Sequence, residues 1–435
     1  MYQQGDLMDI HILYEHEERE IYNAYLIKFE LEKRGYDVKI SRTTEPRLPF
    51  FNAPKLILTP WLFTDMNVDD LKIGYIKRIP KILNLQYEQV MSQMWLDVGY
   101  HVSSGKAMNA NFLCWGYDRK QVLLDNNIPN ENIVVIGDIR QDFTKPVFRK
   151  FFKTKKQLSE EFDIPEDHEW NLFISSFSFA TPTEDSIKYL NNTIGESNSK
   201  KWHEISSRSQ KMLLKWIEQF VRENPLNEFI YRPHPSELKE TDYSYLQELK
   251  EKYDNFHFIF KYSVQDWILC SDYINSWIST SIVECYSLNK VCNILRPIKI
   301  DEYFDIPFYI NAEQICDYDL FAERNLSKEN SKFPIKSEEI LIYYENMDDD
   351  VFIYKKICDY IEELVNDDSI SDFYRHGPII DNLQYVFKKI TNLRIFPIFR
   401  NLINNYSNHE TESKKEDEMG AEKLNILKEI VNENF

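Results

Sequence analysis

Arg232, Pro233, His234 and Pro235 close an apolar run, Glu228-Phe229-Ile230-Tyr231, and a second apolar run further on leads into Ser279-Thr280-Ser281 and Glu284. The first group places a guanidinium and an imidazole at the end of a strand. The second places hydroxyls at the start of a helix. Strand C-termini and helix N-termini line the same crevice of an open α/β sheet, and cations, imidazoles and hydroxyls together suit an anion. The ligand to expect is phosphorylated. If a bond to that phosphate breaks, the leaving oxygens gain negative charge, and fixed positive or N–H partners lower the barrier. Arg232, His234 and the Ser279–Ser281 turn supply such partners without a metal. Glu284 follows Thr280 by one helical turn, where it can accept from ribose hydroxyls or stand as an ordinary solvated glutamate. For His234 the structural alternative is a loop histidine held between two prolines; its company with Arg232 favours a role in chemistry.

The elements that must carry these residues read as two series of parallel-sheet units. Apolar runs at 10–14, 38–40, 55–59, 81–85, 112–115 and 133–136 alternate with helical patterns, the first from Glu17 to Arg34 and ending at Gly35. A second series occupies 172–175, 229–231, 256–260, 273–275 and 291–295, with helices near 202–223, 243–253 and 281–288. Near-continuous apolar strands are those of parallel sheets covered on both faces. Two Rossmann-like domains are therefore expected, residues 1–165 and 166–376, split at the polar turn Ile164-Pro165-Glu166-Asp167. A helical, basic segment follows at 377–400 and a flexible polar tail at 401–435, with a marginal terminal helix over Ala421–Val431.

At 435 residues the chain is too long for one ordinary core, and 43% hydrophobic residues with 14% aromatics suffice for two. A net charge of -19 argues against a general nucleic-acid binder, which presents a basic face. The six cysteines form no CxxC pair, and most lie in apolar runs as buried thiols. There are ten glycines and no GxGxxG or GxxxxGK[ST], so neither a dinucleotide nor a P-loop is supported and no organic cofactor is expected. Asp348-Asp349-Asp350 resembles a metal-binding DxD, but its position before Val351-Phe352-Ile353 reads better as an acidic first helical turn. No metal is expected. The N-terminus lacks the basic-then-apolar pattern of a secretion signal, and no apolar run nears the ~18 residues that span a bilayer, which gives a cytoplasmic expectation.

The RPHP segment, the later Ser/Thr turn with its glutamate, Trp115-Gly116 and Val135-Ile136-Gly137-Asp138-Ile139-Arg140-Gln141-Asp142 together resemble bacterial surface-carbohydrate glycosyltransferases of the GT-B fold. The nearest groups are capsule and teichoic-acid-type transferases, including polysialyltransferase-like, Kdo-transferase-like and CDP-glycerol glycerophosphotransferase-like families. The resemblance covers most of residues 10–300. It implies two Rossmann-like domains facing a central cleft, with a nucleotide-sugar donor on the second and a glycan or lipid-linked glycan acceptor on the first. It also implies that His234 contacts the donor phosphate or assists its departure, and that Ser279 and Ser281 bind that phosphate. The middle residue here is Thr280, which leaves open which hydroxyl acts. Several of these families use cytidine-activated donors.

The acceptor hydroxyl needs a base. His16, Glu17 and Glu18 follow the first strand, and Glu88 follows the run at 81–85. Related families often place an acidic base after the first strand, which ranks Glu17 first and Glu88 second. Each also serves as a helix N-terminal glutamate opposing the dipole. Finally, Phe387-Lys388-Lys389-Ile390 and Leu393–Arg400 mix cations with large apolar groups. They suit peripheral contact with an anionic membrane through 387–400, or, the preferred reading, a helix packed back on the first domain.

Overall fold

A computed structural model describes residues 8–43, 53–72, 79–234, 237, 243–327, 332–348, 350–373 and 413–433. The strands are β1 (Ile10–Tyr14), β2 (Val38–Arg42), β3 (Leu56–Thr59), β4 (Lys81–Asn84), β5 (Asn111–Cys114), β6 (Ile133–Val135), β7 (Glu169–Ile174), β8 (Asn227–Arg232), β9 (Phe256–Phe258), β10 (Tyr273–Ser276), β11 (Cys292–Leu295) and β12 (Gln314–Ile315). They form two six-stranded sheets, ordered β2-β1-β3-β4-β5-β6 and β12-β11-β10-β7-β8-β9, with parallel pairing throughout. Strands such as β1, β3 and β4 are buried at every position, because helices cover both faces. That is why their sequences run apolar without alternation.

The first unit comprises residues 1–89, 101–143 and 344–435, and the second 90–100 and 144–343. The chain therefore changes units at 143/144, earlier than the turn at 164–167. The helix Lys155–Phe162 belongs to the second unit: Leu158 is buried, Phe162 meets Trp267 at 5.4 Å between ring centroids, and Lys155 pairs with Asp272 at 3.0 Å. The polar turn is only the link from this helix to β7, made through Asp163 in a left-handed conformation.

The second departure is at the C-terminal side, where residues 344–373 return to the first unit instead of remaining with the second. The Val135–Asp142 motif explains how. Asp142, fully buried, accepts from the backbone N–H of Ile353 at 2.9 Å and of Tyr354 at 2.7 Å, which caps the helix Ile353–Asn366 from outside its own sequence. Asn346 donates to the Ile136 carbonyl at 2.7 Å, and Tyr344 stacks on Trp115 at 5.7 Å. Gly137 sits at φ +122°, and a Cβ there would lie 2.6 Å from the Glu345 carbonyl oxygen. Only glycine fits. Buried Lys81 in β4 donates to the Leu364 carbonyl and to the Asp367 carboxylate, both at 2.7 Å, and this bond holds the Asp367 carboxyl below the usual carboxylate range.

Two further expectations are corrected here. The acidic run at 348–350 is not a first helical turn: the helix starts at Ile353, Phe352 stands at its N-cap, and Asp142 serves the N–H groups that the acidic run was expected to complement. Asp349 lies outside the described residues. The tail ends in a helix of 20 residues, Ser413–Asn432, with Leu427, Ile430 and Val431 buried against the first unit and the Val431 carbonyl accepting from Lys33 at 2.8 Å. Its apolar stripe is a packing face, so this part of the tail is docked structure. The segment 377–400 lies outside the described residues.

Because Asp142 satisfies two N–H donors that water cannot reach, Asp142→Ala should lower stability by about 1–3 kcal/mol, with far-UV circular dichroism little changed. A melting transition indistinguishable from wild type would show that the cap does not hold this helix.

Candidate functional site

The second sheet reverses direction at β7, its first strand: β8 and β9 lie on one side, β10 to β12 on the other. Loops leaving β7 and β10 therefore diverge to opposite faces and leave a crevice at their carboxyl ends, the place where open α/β sheets take ligands. Register fixes what meets there. Ile174 lies opposite Arg232 on one side and Ser276 on the other, so β8, β7 and β10 end level. At the usual strand spacing, Arg232 and Ser276 are about 10 Å apart.

Arg232 is buried at the end of β8 and donates to the Tyr262 carbonyl at 2.5 Å, which ties the guanidinium to the loop after β9. His234 is half-buried two residues on. From β10, Trp277 is fully buried and stacks on Phe177 at 4.4 Å and Trp202 at 5.7 Å. That stack anchors the two loops bordering the crevice to one another, and Ile278 adds an N–H bond to Ser176 Oγ at 3.2 Å. The Ser279–Ser281 turn is held from below by Tyr309, whose hydroxyl donates to the Ser279 carbonyl at 2.6 Å and accepts from the Ser279 N–H at 3.2 Å. Tyr309 in turn lies under the Arg296 guanidinium at 4.8 Å, and Arg296 is paired with buried Asp305 at 3.1 Å. Ser279 Oγ accepts from the Ser281 N–H at 3.2 Å, which leaves its hydroxyl hydrogen to be aimed elsewhere. The three hydroxyl residues are partly exposed.

The structure thus brings Arg232, His234, Ser279, Thr280 and Ser281 to one crevice. Glu284 lies in the short helix Ile282–Ser287 and is buried, so it is not the solvated surface glutamate of the alternative reading. The base candidates belong to the first unit. Glu17 is the first residue of the helix Glu17–Lys33, and its side chain lies outside the described residues, as does that of Glu18. His16 is the N-cap without a side-chain capping bond. Glu88 is exposed after β4, and its carbonyl accepts from Gln86 at 3.3 Å.

One residue of this site has no clear sequence signal. Glu237, three residues after His234, is fully buried and accepts from Ser175 Oγ at 2.9 and 3.0 Å and from the Phe177 N–H at 2.6 Å, while its own N–H donates to the His234 carbonyl at 2.9 Å. Tyr231 extends the chain to Ser175 Oγ at 2.8 Å. The carboxyl therefore clamps the loop after β7 to the loop bearing His234. Burial pushes it up to about 7, against the opposing pull of the Ser175 and Phe177 bonds.

No family model matches the sequence, and no curated protein matches it. Solved structures do. S. aureus MnaA in a UDP co-structure is 14% identical, with 84% of this chain and 100% of that chain covered at a TM-score of 0.50. The chain has the GT-B fold. A Methanocaldococcus jannaschii UDP-GlcNAc 2-epimerase in complex with UDP-GlcNAc and UDP is 13% identical, covering 82% of this chain and 100% of that one at a TM-score of 0.49. The wall teichoic acid polymerase TagF is 11% identical, covering 83% and 89% at 0.48. The GT-B fold hosts more than one chemistry, so what this chain does must be argued from its site.

Glu237 yields a signed prediction. Its pKa is raised on folding, so the folded chain binds this proton more tightly than the unfolded one, and stability falls as pH rises from the ordinary carboxylate range towards about 7. Glu237→Gln keeps an acceptor for the Phe177 N–H and stays neutral. Its melting temperature should match wild type near pH 5 and exceed it at pH 8; parallel pH profiles would contradict the buried-carboxyl account.

Proposed function

We propose that this chain is a glycosyltransferase that moves a sugar from a nucleotide-activated donor to a bacterial surface glycan without a metal. The observation that carries the proposal is the convergence, at the reversal point of the second sheet, of the Arg232–His234 loop and the Ser279–Ser281 turn, each braced by buried bonds. The donor's bond between the anomeric carbon and phosphate oxygen breaks, its electron pair passing to phosphate. Arg232, His234 and the hydroxyl turn stabilise that oxygen's growing charge. The acceptor oxygen bonds to the anomeric carbon and gives its proton to a first-unit carboxylate, Glu17 ahead of Glu88. A UDP co-structure in the same fold and the resemblance to cytidine-using families put UDP and CMP or CDP first among donor nucleotides. No helix among the described residues is long and apolar enough to cross a membrane. We assign the enzyme to the cytoplasmic side, with 387–400 as the segment that would touch a membrane.

A thermal-shift series with CMP, CDP, UDP, GDP and their sugars tests the donor site; a bound nucleotide at ~100 times its dissociation constant stabilises by ~2.7 kcal/mol. Arg232→Ala should weaken that shift. His234→Ala should cut turnover by about 10²- to 10⁴-fold with the melting temperature retained. Near-normal turnover in this variant contradicts the assignment, and a phosphodiester product would make the reaction a polyol-phosphate transfer through the same phosphate cradle. Nucleotide binding without turnover on any acceptor would favour an inactive subunit of a glycan assembly complex. Activity should persist in excess EDTA; loss restored by magnesium or manganese would overturn metal independence.

A further inference from the structure

The first sheet also reverses direction. Its order, β2-β1-β3-β4-β5-β6, puts the reversal between β1 and β3, and by the same rule a second ligand crevice opens at the carboxyl ends of these two strands. Glu15 follows β1 and Trp61 follows β3. The Trp61 indole N–H donates across the reversal point to Glu15 Oε2 at 2.6 Å. Trp61 also begins an aromatic ladder: Phe63 stacks on it at 6.4 Å and 19°, and His101 stacks on Phe63 at 4.8 Å and 3°.

The ladder is rigidly built. The Phe63 N–H is held by Asn67 at 3.0 Å, the Phe63 carbonyl accepts from the Ser104 N–H at 2.8 Å, and Thr59 Oγ1 donates to the Trp61 carbonyl at 2.9 Å. Glu15 is fixed from behind, its N–H donating to Glu20 Oε2 at 2.7 Å. All three rings remain partly exposed, and the Glu15 side chain is 42% exposed. Core aromatics need no such arrangement. Partly exposed rings aligned beside an oriented carboxylate present an apolar face next to a hydrogen-bond acceptor.

We infer that the Glu15–Trp61–Phe63–His101 cluster is a saccharide-binding platform, with a pyranose ring lying on the indole and a sugar hydroxyl donating to Glu15. A pyranose has the matching chemistry: one face of C–H groups, which are drawn to the electron-rich face of an aromatic ring, and an edge of hydroxyl donors. A phosphate or other anion is disfavoured by the Glu15 carboxylate, which stands 3.9 Å from the His16 imidazole; His101 meets the backbone carbonyl of Glu88. A nucleobase stacks as well, but under the reading above the nucleotide occupies the second unit. The inference rests on that reading to the extent that this sugar belongs to the acceptor. It gives Glu15, two residues before Glu17, the task of holding an acceptor hydroxyl, while proton abstraction stays with the first-unit carboxylate assigned above.

The test uses the full-length protein and saturation-transfer NMR with the methyl glycosides of glucose, galactose, N-acetylglucosamine and N-acetylmannosamine, and with cytidine and uridine as competing probes. At least one glycoside should receive saturation on the C–H protons of one ring face. Trp61→Ala should abolish that signal, Trp61→Phe should keep part of it, and Glu15→Gln should weaken binding by about tenfold. Melting curves check that each variant is folded. Glycoside signals unchanged in Trp61→Ala and Glu15→Gln, absence of signal from every glycoside, or Trp61-dependent saturation of the nucleosides alone would overturn the platform. The nucleotide thermal shifts of the same variants are read separately: if nucleotides fail to bind while a glycoside binds at Trp61, the donor reading fails and the platform stands.

Discussion

Parallel strands that end level are the constraint on which the second unit depends. Parallel pairing forces each strand to be followed by a crossover, and the crossover's direction decides which face its helix covers. Because β7 is both the first strand of its sheet and an interior one, the connections on its two sides must part. The level endings of Ile174, Arg232 and Ser276 then deliver a guanidinium, an imidazole and a hydroxyl turn to one gap. Beneath that gap lies an aromatic floor, Phe177, Trp277, Trp202 and Phe304, which keeps loop ends in place that backbone ladders no longer hold. Under the proposed function these groups are fixed donors around a forming charge, which need no reorganisation when it forms.

The same logic runs through the return of the chain to its first unit. Asp142, Gly137 and Lys81 each act on a segment more than 200 residues away, through a cap, a close backbone approach and a buried ammonium. The motif at 135–142 is thus architectural: Arg140 lies on Trp115 at 4.7 Å and is paired with buried Asp138 at 2.8 Å. Its role is to seat the helix Ile353–Asn366, and no ligand is required to explain its residues.

How much of this was legible in sequence follows from the range of each interaction. Strands such as β1, β3, β4, β5 and β10 read as apolar runs because burial on both faces is written locally, and the Arg232–His234 and Ser279–Ser281 groups are legible because their residues lie close in sequence. The unit boundaries are not, since a polar turn such as 163–167 looks the same between domains as between a helix and a strand. From sequence the helix Ser413–Asn432 reads as marginal, because the partner of its docked face is the helix Glu17–Lys33, at the other end of the chain. Glu237, Glu15 and Trp61 share one difficulty. Each matters through a partner across the sheet reversal or a neighbouring loop, and strand order is not encoded in any local pattern.

The central claim is that the crevice between β7 and β10 receives the phosphates of a nucleotide. Hydrogen–deuterium exchange of the full-length protein, with and without saturating CDP or UDP, tests it most directly. The account predicts slowed exchange concentrated in peptides covering 175–178, 232–237 and 277–284, where backbone N–H groups and loops close on the ligand. Protection confined to the first unit, or no protection in these three peptides when a nucleotide demonstrably binds, would contradict it.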